Sequence, residues 1–525
     1  MKPIDEIAKK FGINANQIYH FGEHIGKIDA NISVPSKDKK LILVTAISPT
    51  PAGEGKTTTT IGLVDSLNFI GKNAIGALRE PSMGPVFGVK GGANGGGNSQ
   101  IVPKDDINFH FTGDMHAITA ANNLISACID NNIYWGNSLK IDLNKIVWKR
   151  VLDVNDRSLR EVEITINSKK NIKYKSGFDI TVASELMAIF CLVQTKDELK
   201  EKIDNIIVAY NTSNKPIYVK DLGITNAIVK ILDLALKPNI VQTLESNMCV
   251  VHGGPFANIA HGCNSVIATL TAMNLAEYTI TEAGFGSDLG AEKFLDIVCR
   301  KTNLVPNCVV LVASTRSLKM HGGVDKDNLK LPNLKALEIG LENLKQHIKN
   351  IKSFGIDLIV SITQLDISLK DELEFLADSL KKDNIPCCFN DTFSNGGKGG
   401  VELANKVVQM CEQSKKDINF VYEMNDSIKA KIEKICTRCY GAKGVVYSEI
   451  ANKKIEEYKD LKYFICMAKT PLSLTDDDKK LAITEEFDIN VKDIVISNGA
   501  NFIVVLTGNI VRMPGLPKIP EANKM

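Results

Sequence analysis

Hydrophobic and polar positions alternate along the first two thirds of the chain in a pattern that predicts strands separated by helices. Apolar runs short enough to be buried strands occur at 41–47, 73–78, 107–111, 205–209, 278–281 and 308–313. Longer stretches, such as 117–133 and 258–275, have the length and composition of helices. Strands and helices that alternate in this way form a parallel sheet with helices on both faces. We therefore predict an α/β fold built on one large parallel-sheet, P-loop-type nucleotide-binding domain.

Two smaller blocks are predicted after this domain. The first is a compact βαβ unit whose strand, helix and second strand lie at 357–362, 371–382 and 386–390. The second begins near residue 415 with a Lys/Glu-rich helix, and strands follow around Val495 and at 502–506. The predicted division is a large α/β domain, a small βαβ domain that contributes to a ligand site, and a small C-terminal α/β domain, at 1–345, 346–414 and 415–525.

Composition narrows the partners that such a chain can have. Of its 525 residues, 63 are basic and 61 are acidic, so it lacks the basic excess that favours nucleic acid or an anionic membrane. No apolar run approaches the roughly 18 residues of a membrane span, and residues 1–11 have neither a secretory nor a transit pattern. We expect a cytoplasmic protein that binds neither nucleic acid nor membrane.

The twelve cysteines are scattered among apolar neighbours. Only Cys436 and Cys439 have the spacing of a metal-binding or redox pair, and no second pair with matching spacing follows them. Two cysteines packed on one face of a helix is the alternative interpretation, and the sequence favours it.

A short segment between an apolar run and a helical run has the pattern of a phosphate-binding loop. It consists of Thr50, Pro51, Ala52, Gly53, Glu54, Gly55, Lys56 and Thr57, and Thr58 continues it into the helix. The glycines allow backbone N–H groups to face a polyphosphate, and the helix N-terminus adds its positive dipole end. Lys56 is placed to contact the outer phosphates, and Thr57 is placed to complete a Mg²⁺ shell. One departure is Thr50, which stands where the usual motif has its first glycine.

A second glycine-rich loop, at 79–97, begins with Arg79 and Glu80 at the end of a predicted strand. A loop of this length is usually functional or disordered, and ligands bind at the C-terminal ends of strands in open α/β sheets. Because the planar guanidinium group matches a carboxylate or a phosphate, we expect Arg79 to bind an anion. The alternative is a surface ion pair between Arg79 and Glu80. A third glycine-rich loop, at 396–400, fits either an anion-binding loop or a tight turn.

Together these segments closely resemble formate–tetrahydrofolate ligase. The resemblance covers nearly the whole chain, and several of its motifs are hard to find outside that family. The shared runs lie at 49–60, 78–97, 106–114, 177–185, 252–262, 281–294, 319–323 and 513–518.

The resemblance implies that ATP phosphorylates formate to formyl phosphate and that the amine of tetrahydrofolate then takes the formyl group. From the matching motif positions it implies that Lys56 and the loop amides hold ATP and that Arg79 and Glu80 contact formate and formyl phosphate. Asp114, expected at a strand end, would accept or orient the amine proton, with His110 as a neighbour. Further implications are Mg²⁺ with the ATP, activation by a monovalent cation such as potassium, and a homotetramer. The roles of His252 and His261 stay open between structural and catalytic.

The folate site implied by the resemblance departs from the family pattern. The family has Asn-Arg-Phe at the positions of 363–365 and tryptophan at the position of Phe393, and in the family these two aromatic residues sandwich the folate. This chain has Leu365 and Phe393, with Phe285 as the third expected folate contact. Stacking on an aromatic face contributes about 0.5–1.5 kcal/mol beyond area burial, so we expect folate affinity that is several-fold weaker. Asn98, where the family has tyrosine, is a smaller departure.

Two other functions stay open at this point. One is a regulatory or structural paralogue that binds ATP but has impaired folate binding. The other is a change of nucleotide, since Thr363 and Asp366 faintly resemble the base-reading motif of GTPases.

Overall fold

A twelve-stranded sheet lies at the centre of the protein. The computed structural model describes residues 1–51, 53–90, 94–167, 169–364, 369–508 and 510–524. The main path of the sheet runs in the spatial order Ile18–His20, Gly26–Ile28, Asn239–Thr243, Met248–Val251, Ala74–Leu78, Tyr278–Gly286, Lys40–Ala46, Cys308–Ala313, Leu358–Thr363 and Cys387–Asn390. Every neighbouring pair from Met248–Val251 onward is parallel. The short strands Gly95–Gly96 and Ser99–Val102 join the antiparallel side of the sheet through Asn239–Thr243.

The central strands are continuously apolar because both faces of the sheet are covered. Along Lys40–Ala46, Leu41 and Leu43 belong to the core on one face, and Ile42 and Val44 belong to the core on the other. The first face packs against a core that includes helix Leu334–Ser353, and the second packs under the helices Lys56–Phe69 and Val401–Gln413. The α/β fold with a large, mostly parallel sheet is thus confirmed.

The other α-helices of five or more residues connect the strands or lie on the smaller sheets. They are Ile4–Lys9, Lys104–Asn108, Asp114–Tyr134, Glu185–Leu192, Lys196–Asp204, Thr225–Leu232, Val266–Leu275, Thr315–His321, Lys370–Lys382, Ile428–Ile435 and Glu449–Glu457.

Smaller sheets lie beside the central one. A three-stranded sheet has the order Pro216–Tyr218, Ile207–Asn211 and Ile141–Ile146, and a four-stranded sheet near the C-terminus has the order Gly444–Tyr447, Asp488–Ser497, Phe502–Thr507 and Phe464–Ala468. Two-stranded sheets pair Val162–Asn167 with Ile172–Ser176 and Arg150–Leu152 with Phe178–Ile180. The strand predicted at 205–209 therefore lies in the three-stranded sheet, as Ile207–Asn211, and not in the large sheet.

The prediction of a strand at 107–111 is wrong. Residues Lys104–Asn108 form a short helix, and His110 and Phe111 follow with left-handed φ angles of 52° and 40°. The apolar residues that suggested a strand contact one core from two different elements. Ile107 is a buried residue of the short helix, and Phe111 packs against the same core from the turn that follows. Gly113, with φ of 90°, then caps the next helix.

The helix predicted at 258–275 begins only at Val266. Its cap is Ser265, whose Oγ accepts a hydrogen bond from the Ala268 N–H at 2.9 Å. Gly262 has a left-handed φ of 68°, and a backbone in that conformation does not continue a right-handed helix. The residues before the cap therefore belong to a loop that connects the strand Met248–Val251 to this helix.

The large sheet continues across the domain boundary predicted near residue 345. Leu358–Thr363 pairs with Cys308–Ala313, and Cys387–Asn390 pairs with Leu358–Thr363, so strands from the predicted small domain extend the sheet of the large one. The three-domain division stays a prediction.

The glycine-rich loop at 396–400 packs tightly against the helix that follows the phosphate loop. A methyl group on Gly400 would collide with Ser66, and one on Gly397 would lie 2.8 Å from the Asp65 backbone carbon. The Gly397 N–H donates to Glu245 at 2.7 Å, so this amide already binds a carboxylate of the protein itself. These contacts favour the tight-turn interpretation.

Neither a metal cluster nor a membrane span is found in the part of the chain that the structure describes. Cys436 and Cys439 are both buried in the core, and no group of three His, Cys, Asp or Glu side chains there could hold a metal ion. Among the described helices, none has both the length and the apolar character needed to cross a bilayer.

We predict that Gly62→Ala destabilises the protein. Gly62 lies in the phosphate-loop helix, and a Cβ at this position would lie 2.6 Å from Thr392 Cγ2. The phosphate-loop helix and the short helix Thr392–Asn395 must therefore move apart. Overpacking of this kind costs about 1–3 kcal/mol. Urea unfolding measures the loss, and Lys349→Ala, at an exposed helical position, is the control that should change stability little. Equal stability of Gly62→Ala and the wild type would contradict this packing.

Candidate functional site

The phosphate loop and Arg79 lie at the carboxyl edge of the parallel strands. The neighbouring strands Ala74–Leu78, Tyr278–Gly286 and Lys40–Ala46 run in the same direction, so the segments that follow them emerge side by side. Arg79 follows the first strand, and the phosphate loop follows the third. This edge is where open α/β sheets bind ligands.

Two glycines give the phosphate loop its shape. Gly53 and Gly55 have left-handed φ angles of 76° and 81°, and Gly55 is the N-cap of helix Lys56–Phe69. Thr50 does not have a positive φ, which explains why a threonine can replace the first glycine of the usual motif. Ala52, predicted to bind ATP, lies outside the described residues.

Glu54 holds the loop together from within. Its Oε1 accepts hydrogen bonds from the Thr50 N–H at 2.6 Å and from the Thr50 hydroxyl at 3.1 Å. The Ser317 hydroxyl is 3.3 Å from the same oxygen, and the Thr363 hydroxyl donates to the Glu54 carbonyl at 3.2 Å. Glu54 is buried, while Pro51 and Gly53 are exposed at the tip of the loop. Glu54 thus maintains the loop conformation from its buried position.

A bulge in the neighbouring strand brings Phe285 to the phosphate loop. The pairing with Lys40–Ala46 is regular up to Glu282 and resumes at Gly286, so the intervening residues project from the sheet. Phe285 has a φ of 57°, which is uncommon for a non-glycine residue and is found at functional sites. Its carbonyl accepts a hydrogen bond from Lys56 Nζ at 2.9 Å, which fixes the lysine across the end of the strand.

Glu282 connects the phosphate loop to Arg79. Its Oε2 accepts a hydrogen bond from the Thr57 hydroxyl at 3.0 Å, and its Oε1 lies 3.6 Å from Arg79 Nη2. The carboxylate is buried, and together with the Thr57 hydroxyl it supplies the oxygen ligands that Mg²⁺ prefers. The sequence analysis missed Glu282 as a site residue. The signal that could have found it is an acidic residue at the end of an apolar strand next to the phosphate-loop strand.

Arg79 does not form a surface ion pair with Glu80, and its guanidinium group lies near Glu282 instead. Its side chain is 22% exposed, and its Nε is buried with no hydrogen-bond partner among the described residues. A methyl group on Gly284 would lie 2.7 Å from Arg79 Nη1, so the absence of a side chain at Gly284 makes room for the guanidinium group. Glu80 is buried, which excludes the surface pair.

Asp114 does not lie at a strand end. It is the first residue of helix Asp114–Tyr134, because the strand predicted before it is a short helix and a turn. Lys27 Nζ lies 2.8 Å from its Oδ1 and 2.9 Å from its Oδ2, and Asn239 Nδ2 donates to Oδ2 at 2.8 Å. Asp114 is thus a buried carboxylate paired with Lys27. Lys27 is a second residue that the sequence analysis missed, since a single lysine on a three-residue strand gives no distinctive signal.

Glu80 and His110 line a cavity of about 140 Å³ beside Asp114. Met115, His116 and Asp153 also contribute to its wall. Burial raises the pKa of the Asp153 carboxyl to about 6, although hydrogen bonds from Ser82 and the Met83 N–H oppose the shift. Burial, and after it the charge of Asp114, raises the pKa of Glu80 well above its usual value. The cavity therefore contains two carboxyl groups whose pKa values are raised by burial.

His252 and His261 are both fully buried. His252 is fully buried, and its ring nitrogens contact the Ser265 hydroxyl and the Ala235 carbonyl, both at 2.6 Å. Burial lowers the pKa of His252 to about 4 and that of His261 to about 3. Both rings are neutral at physiological pH, and neither is exposed to a ligand.

Phe393 lies beside the glycine loop and the phosphate-loop helix. A methyl group on Gly96 would lie 3.2 Å from Phe393 Cε2 and 3.5 Å from the Thr58 hydroxyl. Asn98 fixes this arrangement, because its N–H donates to the Phe393 carbonyl at 2.8 Å and its Nδ2 donates to the Ser394 carbonyl at 2.5 Å. Phe393 is half-buried, as is Phe285. Leu365, the remaining predicted folate contact, lies outside the described residues.

The whole chain matches the sequence profile of a known protein family. The profile is that of formate–tetrahydrofolate ligase, and it matches residues 1–525. The match spans the phosphate loop, Arg79, Glu282 and the aromatic positions together. The chain therefore belongs to the formate–tetrahydrofolate ligase family, whose members are ligases of one-carbon metabolism.

Proposed function

We propose that this protein joins formate to tetrahydrofolate with consumption of ATP and that formyl phosphate is the intermediate. The observation that supports this most strongly is the contact chain from Thr57 through Glu282 to Arg79, which links a phosphate loop to an anion-binding arginine at adjacent strand ends. Formate carries a delocalised charge and has no leaving group, so its carbonyl carbon is a poor electrophile. Phosphorylation supplies the leaving group.

In the first step a formate oxygen attacks the γ-phosphorus, and the bond between that phosphorus and the β,γ-bridging oxygen breaks. The amides at the start of helix Lys56–Phe69 and the Lys56 ammonium neutralise the phosphate charge. Arg79 holds formate in line with the phosphorus, because its planar fork can bind both oxygens of a carboxylate. Positioning and charge neutralisation are the main requirements of phosphoryl transfer.

The residues present fit a magnesium ion bound together with the nucleotide. Thr57 and Glu282 provide a hydroxyl and a carboxylate oxygen 3.0 Å apart, directly beside the loop. Bound there, Mg²⁺ would neutralise charge on the phosphates of ATP.

In the second step the folate amine attacks the formyl carbon, the bond from that carbon to the phosphate oxygen breaks, and phosphate leaves. The attacking nitrogen loses a proton. Asp114, the acceptor implied by the resemblance, is engaged by Lys27 and Asn239 through both oxygens. We therefore propose that the leaving phosphate, which becomes more basic as the bond breaks, takes this proton.

Phe285 and Phe393 are the proposed folate contacts, together with Leu365. Phe285 lies next to Lys56 and Phe393 next to Thr58, so both flank the first turn of the phosphate-loop helix. A ring held between them would place its amine near the group bound by Arg79. Loss of the family's larger aromatic faces weakens this contact and leaves the anion site unchanged.

The test of the proposed function is formation of 10-formyltetrahydrofolate with omission of each substrate in turn. Turnover that needs ATP, formate and tetrahydrofolate supports the ligase. ATP binding without turnover at any folate concentration would favour the regulatory paralogue. Faster turnover with GTP than with ATP would favour the change of nucleotide.

On family grounds we further propose activation by a monovalent cation such as potassium, a homotetramer, and a cytoplasmic location. Turnover in potassium chloride against tetramethylammonium chloride tests the first, and light scattering of the purified protein tests the second. Fractionation of cells tests the third.

We predict that Arg79→Gln lowers kcat/KM for formate by roughly 10²–10³, since a charged donor to the transferring group is lost. Arg79→Lys keeps the charge but loses the fork, so we expect a smaller defect. Formate-dependent release of ADP measures both variants, and ATP affinity is the internal control that should stay near the wild-type value. A kcat/KM for formate in Arg79→Gln equal to that of the wild type would rule out this role.

We predict that Glu282→Gln raises the Mg²⁺ concentration needed for half-maximal activity by about tenfold or more, because a neutral amide binds a hard cation less well than a carboxylate. Magnesium titrations at fixed ATP measure the change. Glu277→Gln is the matched control, because Glu277 precedes the same strand and is exposed. Identical magnesium dependence in both variants would exclude Glu282 as part of the metal site.

We predict that Phe393→Ala raises the KM for tetrahydrofolate by roughly 2- to 10-fold, because a stacking face of about 0.5–1.5 kcal/mol is lost. Leu365→Phe should lower that KM by a similar factor. Initial rates at saturating ATP and formate measure both effects. Phe69→Ala removes an aromatic ring that is 56% exposed at the far end of the phosphate-loop helix, so it should have no effect. A folate KM that changes in neither site variant would place the folate elsewhere.

A further inference from the structure

Phe393, a proposed folate contact, lies on a short segment formed by residues 392–397, which we call the Phe393 turn. One side of this turn packs against the phosphate-loop helix, because Gly62 has no side chain that would collide with it. The other side meets the hairpin formed by the strands Gly95–Gly96 and Ser99–Val102. Two separate elements thus hold the Phe393 turn.

Asn98, at the tip of this hairpin, makes two hydrogen bonds to consecutive carbonyl groups of the Phe393 turn. Its backbone N–H donates to the Phe393 carbonyl at 2.8 Å, and its side-chain Nδ2 donates to the Ser394 carbonyl. A Cβ at Gly97 would collide with the Phe393 carbonyl oxygen, so the two backbones lie as close together as a glycine permits. Together these contacts fix the two peptide planes that follow Phe393.

The hairpin is anchored in the large sheet, so it is a firm support for these bonds. Its second strand pairs with Asn239–Thr243, and the buried Ser99 hydroxyl donates to the Thr392 carbonyl at 2.8 Å. The residue before Phe393 is therefore held without Asn98. Asn98 adds the contacts at Phe393 and directly after it.

The hairpin provides little side-chain packing for the ring of Phe393. Gly96 and Gly97 lie beside this ring, and an added Cβ would be 3.2 Å from Cε2 at the first and 2.9 Å from Cγ at the second. Because neither glycine has a side chain that could fix the ring, the backbone of the Phe393 turn sets the direction in which the ring points.

We propose that Asn98 is a positioning residue of the folate site: its two hydrogen bonds hold the Phe393 turn so that the ring presents its face to the folate. A ring that is already in place does not have to be ordered on binding, which favours affinity. A tyrosine side chain, which the family has at this position, contains no amide N–H. The bond to the Ser394 carbonyl is therefore a feature of this chain's own sequence.

This inference rests on the proposed function for its effect on folate affinity. The effect on the ring itself does not depend on turnover and is measurable without substrate.

Substitution of Asn98 tests the effect on folate. Asn98 is exposed, so its variants should fold with near wild-type stability. We expect Asn98→Ala to raise the KM for tetrahydrofolate by roughly 2- to 10-fold, the equivalent of one hydrogen bond, and to leave kcat at saturating folate and the KM values for ATP and formate unchanged. Asn98→Asp keeps the shape but replaces the donor by an acceptor, so its folate KM should rise at least as much.

A double-mutant cycle shows whether Asn98 acts through Phe393. In the Phe393→Ala background, Asn98→Ala should have no further effect on the folate KM, because the ring is already absent. Asn395→Ala is the matched control, since Asn395 is an exposed amide of the same turn whose side chain donates to Asp391. It should leave the folate KM near the wild-type value. Additive effects of Asn98→Ala and Phe393→Ala would overturn the proposal.

A measurement without substrate separates this proposal from the proposed function. Phe393→Trp places a fluorescent ring in the turn, and acrylamide quenching of its emission, corrected for the emission of the wild type, measures how firmly the ring is held. Asn98→Ala in this background should increase the quenching, and Asn395→Ala should not.

Equal quenching with and without Asn98→Ala would overturn the proposal, whether or not the enzyme turns over. Increased quenching together with an unchanged folate KM would overturn the role of Asn98 in folate binding. Increased quenching in a protein that forms no 10-formyltetrahydrofolate would support the placement of the ring by Asn98 and reject the proposed function.

Discussion

The adjacency of three parallel strands is the constraint on which the site depends. Ala74–Leu78, Tyr278–Gly286 and Lys40–Ala46 are neighbours in the sheet, so their carboxyl ends place Arg79, Glu282 and the phosphate loop side by side although these residues are far apart in sequence. The sheet is covered on both faces, which holds the strands in register. A hydroxyl, a carboxylate and a guanidinium group thereby meet at one edge of the sheet. Such pre-organisation is what phosphoryl transfer requires of a protein.

Local signals predicted the parts of the site that depend on short segments. The phosphate loop was predictable because two glycines, a lysine and a following helix stand together in sequence, and Arg79 was predictable because it ends a buried strand. Glu282 was missed because its role comes from the neighbouring strands and not from its own segment. Asp114 was misplaced because alternating apolar residues at 107–111 resemble a strand, whereas two consecutive left-handed residues make a turn there.

Several charged groups are buried near this edge of the sheet. Lys27 pairs with Asp114, and Glu282 lies between Arg79 and the Thr57 hydroxyl of the phosphate loop. The ammonium of Lys27 pairs with Asp114, and the guanidinium of Arg79 lies near Glu282, so each of these cations has an acidic neighbour. Lys27 lies on the three-residue strand Gly26–Ile28, and sequence patterns do not find it because only tertiary packing brings it to Asp114.

The central claim is that formate attacks ATP at this edge to give formyl phosphate. Turnover of formate labelled with oxygen-18 tests it most directly, because the bond made in the first step and broken in the second transfers a formate oxygen to phosphate. The account predicts that inorganic phosphate acquires one labelled oxygen for each 10-formyltetrahydrofolate formed. Product formation with unlabelled phosphate would contradict it.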